Sequence, residues 1–282
     1  MGNWVEGIRR WARAGTRPSE PAIGLALGGG FARGIAHLGV LRVFEQHRIP
    51  IGRIAGVSAG AIAAAAYASG ASVEEIGEAA RAMKFKDVAR WNLSLLGLAG
   101  SERMAEFLKG LLKVHRFEDM RIPLAVVATE LRTGQPLVFR DRGDVLLPIR
   151  ASCSYPGLFR PVRWQGQHLV DGAMTMEVPS TAVRAIGATH VVSVVLPVSG
   201  GFDPQNMFQV VNRCFQIMQR RSEREWRRAS NIVIEPDVDG MTWDGFDSAE
   251  RLIERGEKAA LAALPRILSW LERPAGAGET AA

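Results

Sequence analysis

Cysteine is scarce in this sequence of 282 residues, and its N-terminus has no hydrophobic run. The two cysteines, Cys153 and Cys214, do not form a C-x-x-C pair, which argues against a disulfide framework and favours a reducing compartment. The first residues lack the apolar core of a signal peptide. Glu6 stands where a myristoylation motif has Ser or Thr. We therefore expect a cytoplasmic protein.

The sequence also lacks a long block of Lys or Arg, although its formal net charge is +6. Basic residues cluster instead at 9–17 and 213–228. Such clusters are most often solvated surface, and the alternative is attraction to anionic lipid. Zinc-ligand spacings and RNA-binding motifs are missing, so no nucleic-acid partner is expected.

Charged residues are absent between positions 54 and 73, a stretch long enough to raise the question of a membrane span. Most of these residues are Ala, Gly and Ser, which gain little from transfer into lipid. A helix packed inside a globular core explains the segment better.

The remaining composition predicts one α/β domain. Apolar residues make up 47% of the chain, enough for one large core. Helical and strand patterns alternate along most of the length. We expect an N-terminal amphipathic segment at 1–20, the domain at 21–272 and a disordered tail at 273–282. In the first segment Trp4, Ile8 and Trp11 recur at helical spacing, which suits a peripheral membrane helix or a helix docked on the protein itself.

Periodicity predicts the following elements, with an irregular stretch at 91–100. Strands are expected at 23–27, 51–57, 123–131, 135–139, 167–170, 190–196 and 231–235. Helices are expected at 35–46, 59–68, 73–83, 103–114, 146–154, 179–186, 205–229 and 248–271.

The segment GVSAG, from Gly56 to Gly60, matches the G-x-S-x-G nucleophile elbow. In that motif a strand reverses into a helix within a few residues, which leaves the serine strained. The flanking glycines remove side chains that would clash in the turn. A predicted strand precedes Ser58 and a predicted helix of small residues follows it, as the motif requires.

The segment GGGFARG, at 28–34, also lies between a predicted strand and a predicted helix. It fits a dinucleotide-binding loop poorly, because Arg33 stands at the last glycine position and no acidic residue ends the next strand. A structural turn is a second interpretation. The third is an oxyanion hole formed by glycine amides, which we prefer because a candidate nucleophile follows on the next strand.

A third motif, Asp-Gly-Ala, occupies Asp171, Gly172 and Ala173 after a predicted strand. Asp-Gly is a common turn dipeptide, and alone it would indicate nothing more. Beside the other two motifs it offers a carboxylate that could act as a base.

A serine nucleophile needs a base, which is usually histidine. Of the five histidines, His168 is the main rival to Asp171, since it lies three residues before it. On an extended strand this odd offset places the two side chains on opposite faces. His37, in the helix after the glycine loop, is expected to pack or cap there. We expect structural roles for all five.

Together, in this order, the three motifs resemble those of the patatin-like phospholipases, in the bacterial and neuropathy-target-esterase branch. The similarity extends to PLAVVATELRTGQ, ASCSYPGLFRPV and RLIERGEKAALAAL, and so covers roughly residues 22–271. It implies a patatin-like three-layer α/β/α fold around a central, mainly parallel sheet. It also implies a lipid acyl hydrolase: a phospholipase A, lysophospholipase or esterase.

The resemblance further implies a Ser58–Asp171 dyad that works through an acyl-enzyme, without a cofactor or a metal. Backbone amides of Gly29, Gly30 and Phe31 would form the oxyanion hole, and Arg33 would hold that loop. The branch usually has glycine or alanine where this chain has Phe31. The ring could therefore narrow or line the entrance for the acyl chain.

Three other functions fit parts of the sequence. The main alternative is a catalytically weak or non-catalytic regulatory protein with the patatin fold. A nucleotide-binding oxidoreductase and an α/β-hydrolase with a histidine triad are the others. The expected partners are a lipid or ester substrate and, peripherally, an anionic membrane. The lipid class, the acyl-chain preference and the oligomeric state stay open at this point.

Overall fold

The computed structural model describes residues 22–94, 96–197, 203–242 and 245–271. The predicted N-terminal segment at 1–20 and the predicted tail at 273–282 lie outside these ranges.

The secondary structure is as follows. The strands are β1 Ile23–Leu27, β2 Ile51–Gly56, β3 Arg90–Ser94, β4 Gly97–Gly100, β5 Leu124–Glu130, β6 Pro136–Arg140, β7 Val162–Trp164, β8 Gln167–Asp171, β9 His190–Val194 and β10 Ile232–Ile234. The α-helices are α1 Ala36–Gln46, α2 Ala59–Ser69, α3 Val73–Ala82, α4 Phe85–Val88, α5 Glu102–Leu111, α6 Leu146–Ser152, α7 Ser180–Ala185, α8 Met207–Arg228 and α9 Ala249–Leu271.

Eight of the described strands form one sheet, in the order β10-β9-β1-β2-β5-β8-β7, with β6 also pairing with β5. Neighbours from β10 to β5 run parallel, whereas β6 and β8 run antiparallel to β5. The predicted mainly parallel sheet is therefore confirmed. Because the carboxyl ends of the parallel strands meet at one edge, the loops after β1 and β2 lie side by side.

Alternate residues of the central strands face two separate cores. In β1, Leu25 and Leu27 join a core cluster with α1, α2 and α9, while Ala26 joins a cluster with α7 and Trp226 of α8. This period of two is what buries both faces of a sheet. The fold is thus the predicted three-layer α/β/α arrangement.

The predicted elements are present, with ends that differ from those expected by at most three residues. The prediction of an irregular stretch at 91–100 was wrong, because β3 and β4 form an antiparallel hairpin there. Glycine is a weak strand former, but at Gly97 a Cβ would lie only 2.7 Å from the backbone nitrogen of Arg160. Because the hairpin contains glycines that are required by close contacts, its sequence does not show the residue pattern by which a strand is predicted.

A second unpredicted strand, β7, pairs with β8 across a tight turn. Gln165 and Gly166 occupy the turn with φ angles of 46° and 77°. Two successive positive φ angles match the twist of a two-residue hairpin. The β7–β8 hairpin delivers Asp171, at the end of β8, to the centre of the molecule.

Candidate active site

Ser58 occupies the sharp turn between β2 and α2. Its backbone has φ 53° and ψ −127°, a conformation that costs energy for any residue with a Cβ. A Cβ at Gly56 would collide with the Cα of Ala61, and one at Gly60 with the carbonyl oxygen of Leu27. The two glycines are therefore required by close backbone contacts, and the turn has the shape of the predicted nucleophile elbow.

Two further features fix the position of Ser58. Its amide donates a hydrogen bond of 2.9 Å to Oγ of Ser152, at the end of α6. Helix α2 begins at the next residue, so the positive end of its dipole lies beside the serine. Only 7% of Ser58 is exposed, which means that a substrate must enter a cavity to reach it.

Asp171 is held on the opposite wall of that cavity. Its Oδ1 accepts a hydrogen bond of 2.9 Å from the amide of Ala173, and its own amide donates to the carbonyl oxygen of Ser154 at 3.0 Å. A Cβ at Gly172 would collide with the carbonyl oxygen of Val127 on β5. Each residue of the Asp-Gly-Ala motif thus contributes to the placement of the carboxylate.

The environment of Asp171 makes its carboxylate basic. Only 1% of the residue is exposed, and burial raises its pKa from 3.8 to about 7. The Ala173 amide and the Ser58 hydroxyl offset part of this shift. Oδ2 is buried and forms no hydrogen bond of normal geometry within the described residues. One carboxylate oxygen is therefore available to receive a proton from the side of Ser58.

The glycine loop after β1 forms the third wall. A Cβ at Gly29 would lie 3.3 Å from Cβ of Ser58, so the loop backbone passes directly beside this serine. The Gly28 amide donates to Val194 O at 3.0 Å and the Gly29 amide to Glu177 O at 3.4 Å. The amide of Gly30 makes no hydrogen bond to a described residue, which leaves it available to a ligand.

Arg33 and His37 stabilise this loop from behind. Nε of Arg33 donates to the carbonyl oxygen of Gly30 at 3.3 Å; burial lowers the Arg33 pKa, and the charge of Asp239 opposes that shift. Nε2 of His37 lies 2.8 Å from the carbonyl oxygen of Gly28. Burial lowers the pKa of His37 to about 4, so the ring is neutral at pH 7 and donates this hydrogen bond. The structural role predicted for His37 is confirmed.

His168, the rival base, is on the other side of β8. It lines a separate surface cleft with Arg150 and Arg160 and does not reach the cavity that contains Ser58. His168 and Asp171 thus lie on opposite faces of β8, as predicted. None of the five histidines lines the Ser58 cavity.

The structure brings seven of the ten predicted site residues to one cavity of about 130 Å³, whereas Gly56, Gly60 and Gly172 lie in the backbone turns behind its walls. Its lining includes Ser58, Asp171, Gly29, Gly30, Phe31, Arg33 and Ala173. Sequence reasoning missed a fourth wall, built by Tyr155 and by polar residues of α8. The Tyr155 hydroxyl donates to Oδ1 of Asn212 at 2.7 Å, and its ring meets Phe31 edge-on with centroids 4.9 Å apart. The signal for Tyr155 lay in the motif ASCSYPGLFRPV.

Two apolar cavities lie near Ser58, and neither is lined by α8. The nearer one encloses about 70 Å³ and is lined by Ser58, Phe31, Ile62 and Met83, among others. The farther one, of about 60 Å³, lies between α2, α3 and α5. Phe31 lines all three cavities, because its φ of 52° turns the ring into the space between them. Phe31 therefore lies where the polar cavity meets the two apolar ones, and its role at the entrance for the acyl chain stays a prediction.

Metal-binding clusters and membrane-spanning helices are both absent from the described part of the chain. No group of three or more His, Cys, Asp or Glu side chains there is arranged to hold a metal ion. None of the described helices combines the length and apolarity needed to cross a bilayer.

Several known proteins are similar to this chain in sequence. An uncharacterized NTE family protein of Mycobacterium bovis is 30% identical over 181 residues, which are 63% of this chain and 50% of the relative. The lysophospholipase NTE1 of Mycosarcoma maydis is 30% identical over 257 residues, or 88% of this chain and 13% of that protein. This chain therefore spans half of the first relative and a small part of the second.

The fold also has a match among solved structures. VipD from Legionella pneumophila superposes with a TM-score of 0.56 at 14% identity, over 89% of this chain and 68% of VipD.

The family model for patatin-like phospholipases matches residues 25–183, more than half of the chain, from β1 to α7. The matched region contains the elbow, the glycine loop and the Asp-Gly-Ala turn, and the chain belongs to the patatin-like phospholipase family.

Proposed function

We propose that this protein hydrolyses a carboxylic ester of a lipid, with Ser58 as the nucleophile and Asp171 as the general base. The observation that carries the proposal is a buried carboxylate beside a serine in a strained elbow: Oδ2 of Asp171 has no hydrogen bond of normal geometry within the described residues, and the Ser58 hydroxyl is close enough to lower the Asp171 pKa. A pKa of about 7 makes this carboxylate a far better base at neutral pH than an exposed aspartate.

In the acylation step, Oγ of Ser58 attacks the ester carbonyl while its proton passes to Oδ2 of Asp171. The oxygen of the tetrahedral intermediate becomes negative and accepts hydrogen bonds from loop amides, with Gly30 as the main donor. The positive end of α2 adds to this stabilisation. The C–O bond then breaks, and Asp171 gives its proton to the leaving alcohol.

Deacylation repeats these steps with water. Asp171 removes a proton from the water that attacks the acyl-Ser58 ester, and the proton then returns to Oγ of Ser58 as the fatty acid leaves. The enzyme ends as it began, and no cofactor takes part. Both half-reactions use the same carboxylate as base and then as acid.

The two apolar cavities supply the site for the acyl chain. They are lined almost entirely by carbon, and the nearer one opens at Ser58 itself. An acyl chain that enters them loses contact with water, while the alcohol part of the substrate stays in the cavity beneath α8. A lipid is therefore a better match to the site than a small polar ester.

Lipid profiling of the purified protein would test the substrate class. Total bacterial lipid extract is incubated with the wild type and with Ser58→Ala, and released fatty acids are identified by mass spectrometry. We expect fatty-acid release, with loss of the parent phospholipid or lysophospholipid, by the wild type only. Equal profiles for the two proteins, together with no reaction of Ser58 with a fluorophosphonate, would support the non-catalytic regulatory alternative.

A further inference from the structure

Helix α8 exposes a row of large apolar side chains. The exposed fractions are 83% for Met207, 47% for Val210, 39% for Val211, 48% for Ile217 and 62% for Met218. Spacings of three, four and seven residues place these side chains on one side of the helix. We refer to these five residues as the outer face of α8. A contiguous exposed apolar patch of this kind is typical of an interaction surface.

The opposite side of α8 is fixed to the candidate active site. Nε2 of Gln219 donates to the carbonyl oxygen of Ala173 at 3.3 Å, and the ring of Phe215 meets Tyr155 edge-on with centroids 5.7 Å apart. Nε1 of Trp226 donates to Glu177 at 3.2 Å, and only 3% of Trp226 is exposed. The inner side of the helix thus packs against the protein, whereas the residues of its outer face are exposed to solvent.

The charge of α8 indicates the kind of partner. The helix contains six arginines and two glutamates, which gives 6 − 2 = +4. Both Arg224 and Arg228 are exposed, and they follow the outer face toward the C-terminal end of the helix. An apolar face on a helix rich in arginine is typical of helices that lie in the interface of an anionic bilayer.

We propose that the outer face of α8 docks on an anionic lipid surface. This proposal rests on the proposed lipid hydrolase function, because a lipid substrate has to be reached in a bilayer. Since α8 is itself a wall of the Ser58 cavity, docking would hold that cavity about 10 Å, one helix diameter, from the headgroups. The apolar side chains would enter the acyl region while the arginines bind phosphate groups.

Vesicle binding by the full chain would test the proposal. The double variant Ile217→Glu/Met218→Glu should bind phosphatidylcholine–phosphatidylglycerol vesicles about 10-fold or more weakly than the wild type, because two apolar side chains no longer enter the bilayer. Leu261→Glu is a matched control, since Leu261 is also 48% exposed but lies on α9; its binding should be unchanged. Arg224→Gln/Arg228→Gln should weaken binding to these vesicles but not to pure phosphatidylcholine.

Binding and turnover are measured separately, so that this proposal and the proposed hydrolase function can fail independently. Ser58→Ala should bind vesicles as the wild type does, and Ile217→Glu/Met218→Glu should keep its activity on soluble p-nitrophenyl butyrate. Wild-type vesicle binding by the double variant would overturn the docking surface. So would a loss of binding on deletion of residues 2–20 alone, which would assign the contact to the N-terminal segment. A dimer that the double variant converts to a monomer, with vesicle binding unchanged, would assign the face to self-association.

Discussion

The two sides of Ser58 differ sharply in chemistry. Toward α8 the cavity is lined by Asp171, Arg33 and Tyr155 together with backbone amides. Toward α2 and α3, the lining is almost wholly aliphatic and aromatic carbon. Ser58 therefore lies at the boundary between a polar space, which suits proton transfer, and an apolar space, which suits an acyl chain.

The fold makes Asp171 basic by burying it, and no histidine is in the cavity to serve as the base. The carboxylate of Asp171 faces the polar side, yet the protein around it excludes water, and that burial raises its pKa to about 7. His37, a few residues from the same loop, is buried too, and burial lowers its pKa to about 4. Burial thus shifts both groups toward their neutral forms, but only the aspartate lies beside Ser58.

The largest effect on activity should come from substitutions of Ser58 and Asp171, on the polar side of the site. Ser58→Ala and Asp171→Asn should each reduce the hydrolysis of p-nitrophenyl butyrate by about 1,000-fold or more, and the double variant should lose little further, because the two residues act as one unit. Steady-state kinetics at pH 8, with circular dichroism to confirm folding, measure this. Near-normal activity of Asp171→Asn would show that another base serves Ser58.

A second effect concerns the free energy of unfolding. The folded pKa of Asp171 lies above its ordinary value of 3.8, so its stabilising contribution is complete below that value and is lost as pH rises to about 7. The loss amounts to about 4 kcal/mol at neutral pH and above. Asp171→Asn avoids this loss, and its stability advantage should grow from pH 4 to pH 7 and then level off. Urea titrations at several pH values measure it, and a constant difference between the two proteins would contradict the burial argument.

On the apolar side, Phe31 lines both cavities of the proposed acyl site. Phe31→Ala should join them and shift preference toward longer or bulkier acyl chains, as a series of p-nitrophenyl esters would show. Loss of the half-buried ring should destabilise the fold by up to about 3 kcal/mol. Phe31→Gly opens the same space but suits the positive φ of this residue, and should be more stable than the alanine variant by about 1 kcal/mol.

The chain-length profile and the melting temperature separate two roles of Phe31. A large fall in melting temperature with an unchanged profile would mean that the ring is only part of the core. A shifted profile in both variants would identify it as a determinant of acyl-chain length.

The smallest effect should come from the contact that positions the elbow. Ser152→Ala removes the acceptor of the Ser58 amide and leaves that buried donor unsatisfied, at a cost of about 1–3 kcal/mol. We expect kcat to fall several-fold with KM nearly unchanged. Ser154→Ala is the matched control, because its hydroxyl bonds to the carbonyl oxygen of Arg150. Equal losses of kcat in both variants would point to a general loosening of α6.

Much of the fold could be predicted because its strongest signals are local. Continuous apolar runs marked the buried parallel strands, and the three motifs marked the loops at their ends. The β3–β4 hairpin could not be predicted, since Gly97 is present for a close contact with Arg160 that depends on tertiary packing. Strand β7 escaped the pattern because three residues are too few to show an alternation.

The site shows the same division. Ser58, Asp171 and the glycine loop belong to short motifs that can be recognised in the sequence. They could therefore be assigned to one site without the structure. Ser152, Tyr155 and Asn212 reach the site from α6, from the turn after it and from α8, and no spacing in the sequence relates them to Ser58. The position of Phe31 could be noticed as unusual, but its place between two cavities depends on a positive φ that the sequence does not reveal.

The rate at which a fluorophosphonate labels Ser58, measured from pH 5 to pH 9 in the wild type and in Asp171→Asn, tests the central claim most directly. The pairing of Ser58 with Asp171 predicts that the wild-type rate rises with pH and levels off, with a midpoint near 7. It also predicts that Asp171→Asn reacts slowly at every pH and shows no such step, with the adduct mapped to Ser58 by mass spectrometry. Labelling of Asp171→Asn at the wild-type rate, or a step at pH 7 that survives the substitution, would contradict it.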